Sequence, residues 1–353
     1  MSSSLKNRFC RQPWSFVEVH ANGNIYTCCP SWVTKPIGNV LEQTWEEIWN
    51  GQVAREYRQS MLDSSFCNCI QSNCPHLLSP NLPPGSPVFD KTTLDLVWRK
   101  FKVQDTSGPL VVNFCYDSSC NLACPTCRNN LVLHKKGSDD YRKVEKIHRI
   151  VVEEIIADAH RLYITGTGDP FASPFFRSFL AEFDRKKYPS IQEIHLHSNA
   201  NLWTEHTWKG IEKAHPLIKS AEISIDASTP ETYSVNRKNG NWDLLLKNLE
   251  FINTIKSIEE IVLSFVVQDN NFREIPEFIN LAKKLTNIPY VGVHFYKILR
   301  WGHLSEEEFE HRAVWKPSHM NYNEFAHIWK KFLVSNIGDP IQVTHNLHSF
   351  LET

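Results

Sequence analysis

The sequence predicts an α/β protein of parallel strands, preceded by a small cysteine-rich module. Three observations lead there: short apolar runs alternate with amphipathic stretches of helix length from Leu110 onward, prolines break the chain at Ser79–Pro87, and all ten cysteines fall between residues 10 and 127. Strands alternating with helices imply parallel βαβ units. Right-handed crossovers either curl such units into an open barrel or wind them into a doubly wound sheet. In both cases reactive residues belong on the loops that follow the strands' C-terminal ends.

The elements are read in order. Leu110–Tyr116 is a short apolar run, hence a strand. From 141 to 159, Val144, Ile147, Ile150, Val151 and Ile155 recur at helical spacing. Arg161–Thr165 is a strand, followed by a glycine-containing turn and a helix over Phe175–Phe183. Ile191–Ser198 alternates strictly and is a third strand. Ala221–Asp226, Ile261–Gln268 and Val291–Tyr296 complete six strands, with helices over Trp242–Ile255 and Ile275–Leu285 between them. Four prolines and one glycine in the nine residues Ser79–Pro87 exclude a regular helix or a central strand. The expected organisation is therefore a module over 1–78, a linker and bridging segment over 79–108, the strand–helix body over 109–300 and a capping segment over 301–353.

Composition narrows the function. Lys plus Arg number 38 and Asp plus Glu 39, a net charge of −1. That balance excludes a polybasic grip on nucleic acid as the main source of affinity. No run approaches the ~20 apolar residues of a membrane span, and Met1–Arg8 lacks an apolar leader core. The expectation is a cytoplasmic chain with neither a nucleic-acid nor a membrane partner. In that compartment ten cysteines are not expected to form structural disulfides. Their grouping into one set before residue 75 and one over 115–127 suits two metal or cluster sites.

The sharpest motif is Cys120-Asn-Leu-Ala-Cys124-Pro-Thr-Cys127, directly after the first strand of the body. Three thiolates at this spacing suit three corners of a [4Fe–4S] cube, leaving one iron open. A structural zinc site is the alternative, but it needs a fourth ligand. In the other set, Asn22-Gly23 is a two-residue hairpin signal between Phe16–Val19 and Ile25–Thr27. A hairpin there brings Cys10 and Cys28 to one end. A helix over Trp45–Met61 returns the chain, and Cys69 and Cys74 complete four thiolates, for zinc or for a cluster. Cys29 and Cys67 are left over.

With these motifs the chain resembles the radical S-adenosylmethionine (SAM) superfamily, whose defining triad has the spacing of Cys120, Cys124 and Cys127. The resemblance implies a partial (β/α)6 TIM-like barrel. It also implies a [4Fe–4S] cluster whose open iron binds the amino and carboxylate groups of SAM. One electron, from a donor such as flavodoxin or ferredoxin, then cleaves SAM to methionine and a 5′-deoxyadenosyl radical that abstracts hydrogen from substrate. Thr126 stands where the family usually has an aromatic residue. Thr165-Gly-Thr-Gly-Asp-Pro170 is similar to the family's Gly-Gly-Glu motif, so Gly166, Gly168 and Asp169 are implied SAM contacts. Ser198-Asn199-Ala200 stands where Thr-Asn-Gly is frequent, and Ser224-Ile-Asp226 with Thr229, Glu231, Tyr233 and Arg237 is similar to a further family segment. Ser198, Asn199, Ser224, Asp226 and Arg237 are accordingly implied in cofactor binding, Arg237 on the SAM carboxylate.

The first 76 residues resemble a SPASM module, an auxiliary iron–sulfur domain. Four residues separate Gly23 from Cys28, and Ile37-Gly-Asn39 is the module's turn. This module usually follows the barrel; here it precedes it. The full pattern has seven cysteines for two clusters, and here there are six. The resemblance thus implies one auxiliary [4Fe–4S] cluster on Cys10, Cys28, Cys69 and Cys74, and an oxidoreductase or maturase acting on a peptide or protein by crosslinking, oxidation or epimerisation. A sugar or other small metabolite is the second substrate class, and a non-catalytic zinc-binding interaction protein is the third reading. Cys115 is a candidate hydrogen donor to a substrate radical. Phe114, Tyr116, Phe171, Phe295, Tyr296 and Trp301 are candidates for an apolar shell or for plain core. His303, His311, His319, His327 and His345 are expected to pack or face solvent.

Overall fold

The computed structural model describes residues 9–78, 102–103, 107–300 and 303–347. The linker Ser79–Pro87 and Trp301 lie outside the described residues. The fold is a mixed α/β sheet dominated by parallel pairing. By internal contacts the chain divides into two compact units: Met1–Asp117 with His134–Thr167 and Asp184–Ile194, and Ser118–Leu133 with Gly168–Phe183 and His195–Thr353.

In the first unit, β1 (Phe16–His20) and β2 (Asn24–Tyr26) form the expected hairpin, with Glu18 opposite Tyr26 and Val19 opposite Ile25. Gly23 sits in its turn at φ +88°, where a side chain is strained. The hairpin does more than present cysteines. β1 pairs in parallel with β4 (Val111–Cys115), which pairs in parallel with β5 (Arg161–Ile164). β3 (Gly38–Asn39) closes the other edge on β2. The cysteine-rich module and the first two strands of the body therefore share one sheet. Period-two alternation buries Val17, Val19, Val112, Phe114, Leu162 and Ile164 on one face. Each such side chain contributes about 1.5–3 kcal/mol on full burial.

The helix read over Trp45–Met61 is two helices, Trp45–Trp49 and Gln52–Leu62. Thr44 and Glu47 form a capping box on the first, and Gly51 caps the second with extended backbone, so the chain turns at Asn50–Gly51. The periodic stretch after residue 138 is a helix over Asp139–Ile150 that widens into a π-turn at Val151–Ile155. Ser138 caps its start, and Val144, Ile147, Val151 and Ile155 face the core.

His148 on that helix lies with its Nδ1 2.9 Å from the Tyr116 hydroxyl. Burial pushes its pKa down to about 4, against a smaller opposing pull from Asp117. The unfolded chain takes up this proton near pH 6.5 and the folded chain only near 4. Stability present at neutral pH is therefore lost as pH falls through that window, at up to about 1.4 kcal/mol per pH unit. The melting midpoint of wild type should drop more steeply between pH 7 and 5 than that of His148→Gln, measured anaerobically in parallel. Equal slopes would exclude His148 as the titrating group.

In the second unit β7 (Ile218–Ser224), β8 (Glu260–Val267) and β9 (Tyr290–Lys297) are parallel neighbours. β6 (Glu193–Ser198) spans the boundary between the units along the chain. Helices Trp242–Ile252 and Ile275–Ala282 bury Leu245, Leu249, Phe278 and Ile279. The segment expected to cap the barrel contributes a further parallel strand: β10 (Gln342–His345) pairs with β9 from Gly292 to Phe295. The helix Tyr322–Ser335 before it seats Trp329 and Phe332 against Phe295, each at 5.4 Å between ring centroids. Phe114, Tyr116, Phe171 and Phe295 are buried core, while Tyr296 is half-buried and donates to Glu222. No helix among the described residues is long and apolar enough to cross a membrane.

Candidate functional site

Two groups of thiols stand out, one in each unit. In the first unit, Cys10, Cys28, Cys69 and Cys74 line a single cavity, walled by apolar residues that include Trp32, Val33, Met61 and Phe66. Cys29 and Cys67 are not among its lining residues. Asn39 braces the hairpin that delivers Cys28: its Nδ2 donates to the Asn22 carbonyl (3.1 Å) and to Asn24 Oδ1 (2.9 Å), and its Oδ1 accepts from Leu41 N. A Cβ on Gly23 would lie 2.4 Å from Asn39 Oδ1, so glycine is required by space as well as by φ. Burial pushes the Cys10 thiol up to about 11 and the Cys69 thiol up to about 12, and neighbouring thiols add to both. Four thiols that resist ionisation together are stabilised as thiolates only by a cation, which iron or zinc provides.

In the second unit the loop after β4 carries Cys120, Cys124 and Cys127. It is anchored at both ends: Cys120 N donates to the Val132 carbonyl (2.8 Å) and Ala123 N to the Lys238 carbonyl (3.0 Å). Each sulfur has an N–H neighbour. Leu122 N (3.4 Å) and Asn199 Nδ2 (3.7 Å) approach Cys120 Sγ, Arg237 Nη1 approaches Cys124 Sγ at 3.6 Å, and Arg128 Nε and Nη2 approach Cys127 Sγ at 3.4 Å. Cys120 and Cys124 are buried and Cys127 is exposed. Burial, then the Asp169 carboxylate, pushes Cys120 up to about 12; burial raises Cys124 despite Arg237. N–H donors and two guanidinium groups on a thiol set suit anionic sulfurs, and such bonds tune cluster potentials.

The residues implied in cofactor binding divide. Asp169, Ser198 and Asn199 gather beside Cys120, but the Asp169 carboxylate is engaged internally. Its Oδ2 accepts from Ser198 Oγ and Asn199 N, both at 2.9 Å, and its Oδ1 accepts from Phe171 N at 3.0 Å. Asp169 is fully buried, and burial raises its carboxyl against these bonds. Asp169 thereby joins two loops beside Cys120. Asn199 also donates to Asn121 Oδ1 at 3.0 Å. Arg237 and Asp226 form a buried ion pair at 2.9 Å beside Cys124. Burial alone would lower Arg237, yet Asp226 and Cys124 more than offset it and hold the guanidinium above its ordinary value. Ser224 lies on the strand face instead, where its Oγ meets His197 Nε2 (2.9 Å) and accepts from Ser264 Oγ (3.2 Å). Gly166, in the first unit, lies against Cys115: a Cβ there would be 2.3 Å from its sulfur. Gly168 precedes Asp169, whose amide donates to the Ser119 carbonyl at 2.9 Å.

The residues that support these loops carry no sequence motif of their own. Ala200 and Asp226 take left-handed backbone, φ +59° and +61°, which costs about 1–3 kcal/mol each. Buried asparagines hold both: Asn248 Nδ2 donates to the Ala200 carbonyl (2.7 Å), and Asn236 and Asn271 donate to the Asp226 carbonyl (3.0 Å each). Arg128, directly after the last cysteine, likewise belongs to no motif. His303, expected to pack or face solvent, has its Nε2 2.9 Å from the Pro125 carbonyl inside the cysteine loop.

Residues 118–282 match the family model of the radical SAM superfamily, and residues 10–75 match SPASM, an iron-sulfur cluster-binding domain. The chain thus carries a radical SAM domain preceded by a SPASM domain. The radical SAM domain implies a [4Fe–4S] cluster with SAM, and the SPASM domain an auxiliary iron–sulfur cluster. The two thiol groups fit these cofactors in donor type and in the N–H bonds and burial around them. The chain is 23% identical over 205 residues to a GTP 3′,8-cyclase of Clostridium botulinum (strain Hall), covering 58% of this chain and 59% of that protein. It is 26% identical over 173 residues to an uncharacterized protein of Archaeoglobus fulgidus, covering 48% of this chain and 37% of that one. The chain thus spans well under two thirds of the length of these curated relatives. A solved structure described as "Structure of TYW1 with a lysine-pyruvate adduct bound" aligns over 64% of this chain and 71% of that one, at 14% identity and a TM-score of 0.37.

Proposed function

We propose that this chain cleaves SAM reductively and abstracts hydrogen from a substrate carbon, in a peptide or protein, as an oxidoreductase or maturase. The observation that supports this most is the Cys120/Cys124/Cys127 loop with an N–H donor on every sulfur. Those three thiolates would hold a [4Fe–4S] cluster, which would supply the electron for SAM cleavage. Arg237 and Arg128 balance thiolate charge, Asn199 bridges Cys120 to Asn121, and Asp169 fixes the loops that carry them. Cys10, Cys28, Cys69 and Cys74 would hold the auxiliary cluster, which would supply a contact for substrate or an electron acceptor. The reductant is a one-electron donor of the flavodoxin or ferredoxin kind.

A small-molecule substrate is the second reading, favoured by relatives named for a reaction on GTP. Anaerobic incubation with SAM, reductant and deuterated candidates distinguishes them. Deuterium entering 5′-deoxyadenosine from a peptide supports the first reading, and from a nucleotide or sugar the second. No 5′-deoxyadenosine under any condition would overturn both.

The auxiliary assignment makes its own prediction. Cys10→Ser or Cys69→Ser should lower iron from about eight to about four atoms per chain. Cys29→Ser and Cys67→Ser should leave it unchanged. Iron lost from Cys67→Ser but not Cys69→Ser would reverse the choice between them.

A further inference from the structure

The sheet face opposite the valine core of the first unit carries a cluster that neither thiol group uses. β1 and β4 run in parallel with Glu18 beside Asn113 and His20 beside Cys115. The two-residue period of both strands puts these four side chains on one face. The ligand atoms of Glu18, His20 and Cys115 all lie within 4.8 Å of one another. His20 Nε2 is 2.6 Å from Glu18 Oε1, and Asn113 Nδ2 donates to Glu18 Oε2 at 3.2 Å. The Tyr26 ring packs edge-on to His20 at 5.2 Å. Gly166 closes over Cys115, whose residue is 2% exposed, while Glu18 and His20 keep 13% and 23% of their side chains in solvent. The group is sealed at the sulfur and open at the imidazole and carboxylate.

We propose that Glu18, His20 and Cys115 bind a divalent cation of the zinc type. The donor set is one thiol, one imidazole and one carboxylate. That mixture suits zinc, whereas magnesium and calcium select oxygen shells. Bonds of about 2.0–2.3 Å in a tetrahedron separate ligand atoms by roughly 3.4 Å, which small side-chain rotations reach from the observed positions. Asn113 holds the carboxylate as partners of zinc ligands do. One carboxylate, one imidazole and one sulfur thus converge on a single point of the sheet face. A cation turns all three into ligands. Three protein ligands leave a fourth position for water or a substrate oxygen, the arrangement that lets zinc act as a Lewis acid. A metal-bound Cys115 has no S–H to give, so the residue serves here as a ligand and not as a hydrogen donor.

The site is independent of the iron–sulfur assignments, and metal counts separate the two. The full chain is isolated anaerobically with its clusters from zinc-supplied cells, passed over a chelating resin, and analysed for zinc and iron by mass spectrometry. About one zinc per chain is expected, falling at least tenfold in His20→Ala and in Cys115→Ser with iron unchanged. Should Cys115→Ser fail to fold, the double variant Glu18→Ala/His20→Ala, at positions that reach solvent, gives the same readout. Added zinc should raise the melting midpoint of wild type and leave that double variant unmoved. Wild type holding less than a tenth of a zinc would overturn the proposal. So would zinc that persists in the double variant, which would place it elsewhere, for instance on the four thiols of the module.

Discussion

Cys124→Ala is expected to remove about four of roughly eight iron atoms per chain and to abolish SAM cleavage. Cys124 is buried in the middle of its loop, and Arg237 approaches its sulfur at 3.6 Å. Alanine takes away a ligand and leaves that guanidinium facing an apolar methyl. A cube held by two protein thiolates instead of three has a second undefended iron, so the loss should be of the cluster and not a partial slowing. The four thiols of the other unit stay intact, so the residual iron and visible absorbance should be those of the auxiliary cluster alone. Methionine and 5′-deoxyadenosine release from SAM with excess reductant is the assay, and iron analysis of the same preparation is the control. Cleavage persisting with four irons missing would move the reaction away from this loop.

Much of this was legible because each signal was local. Short apolar runs marked β4, β5 and β7 to β9, and strict alternation marked β6, since one buried face imposes a period of two. Asn22-Gly23 gave the hairpin because its turn needs positive φ. The cysteine groups were legible because thiol spacing reflects ligand geometry. Long-range pairing left no such trace. The parallel registration of β1 on β4 depends on strands 95 residues apart, as at Glu18 and Asn113, and no local pattern encodes it. β10 escaped for a related reason: its residues are half-buried or exposed, so edge-strand burial left no apolar run to read. Gly51 divided the helix at Trp45–Met61 because a cap residue interrupts a pattern that apolar spacing alone carries across. The Asp169 carboxylate illustrates the limit for sites. Its motif position was visible, but three internal donors decide what it does, and these come from Ser198, Asn199 and Phe171.

Arg237→Met should be the most destabilising single change in the second unit. Arg237 reaches Asp226 (2.9 Å), the Ile225 carbonyl (3.4 Å) and Cys124 Sγ (3.6 Å) from one buried guanidinium. Removing it strands the Asp226 carboxylate, which is 1% exposed and otherwise accepts from Val266 N. Breaking a buried pair from one side costs about 3–5 kcal/mol, on the order of 10 °C in melting midpoint for a unit of this size. Asp226→Asn/Arg237→Met should recover part of that loss, because a neutral amide needs no counter-charge. Lysine is not an adequate substitute, since a point charge cannot serve three partners in one plane. A structural role alone would stop at the melting temperature. The N–H···S contact adds a second consequence: Arg237→Lys should retain the iron but shift the cluster's midpoint potential to more negative values, because a donor to sulfur has gone. A redox titration followed by electron paramagnetic resonance reads this directly. An unchanged potential in a variant with a lowered melting midpoint would assign Arg237 to the scaffold of the Asp226 turn and remove it from the cluster's environment.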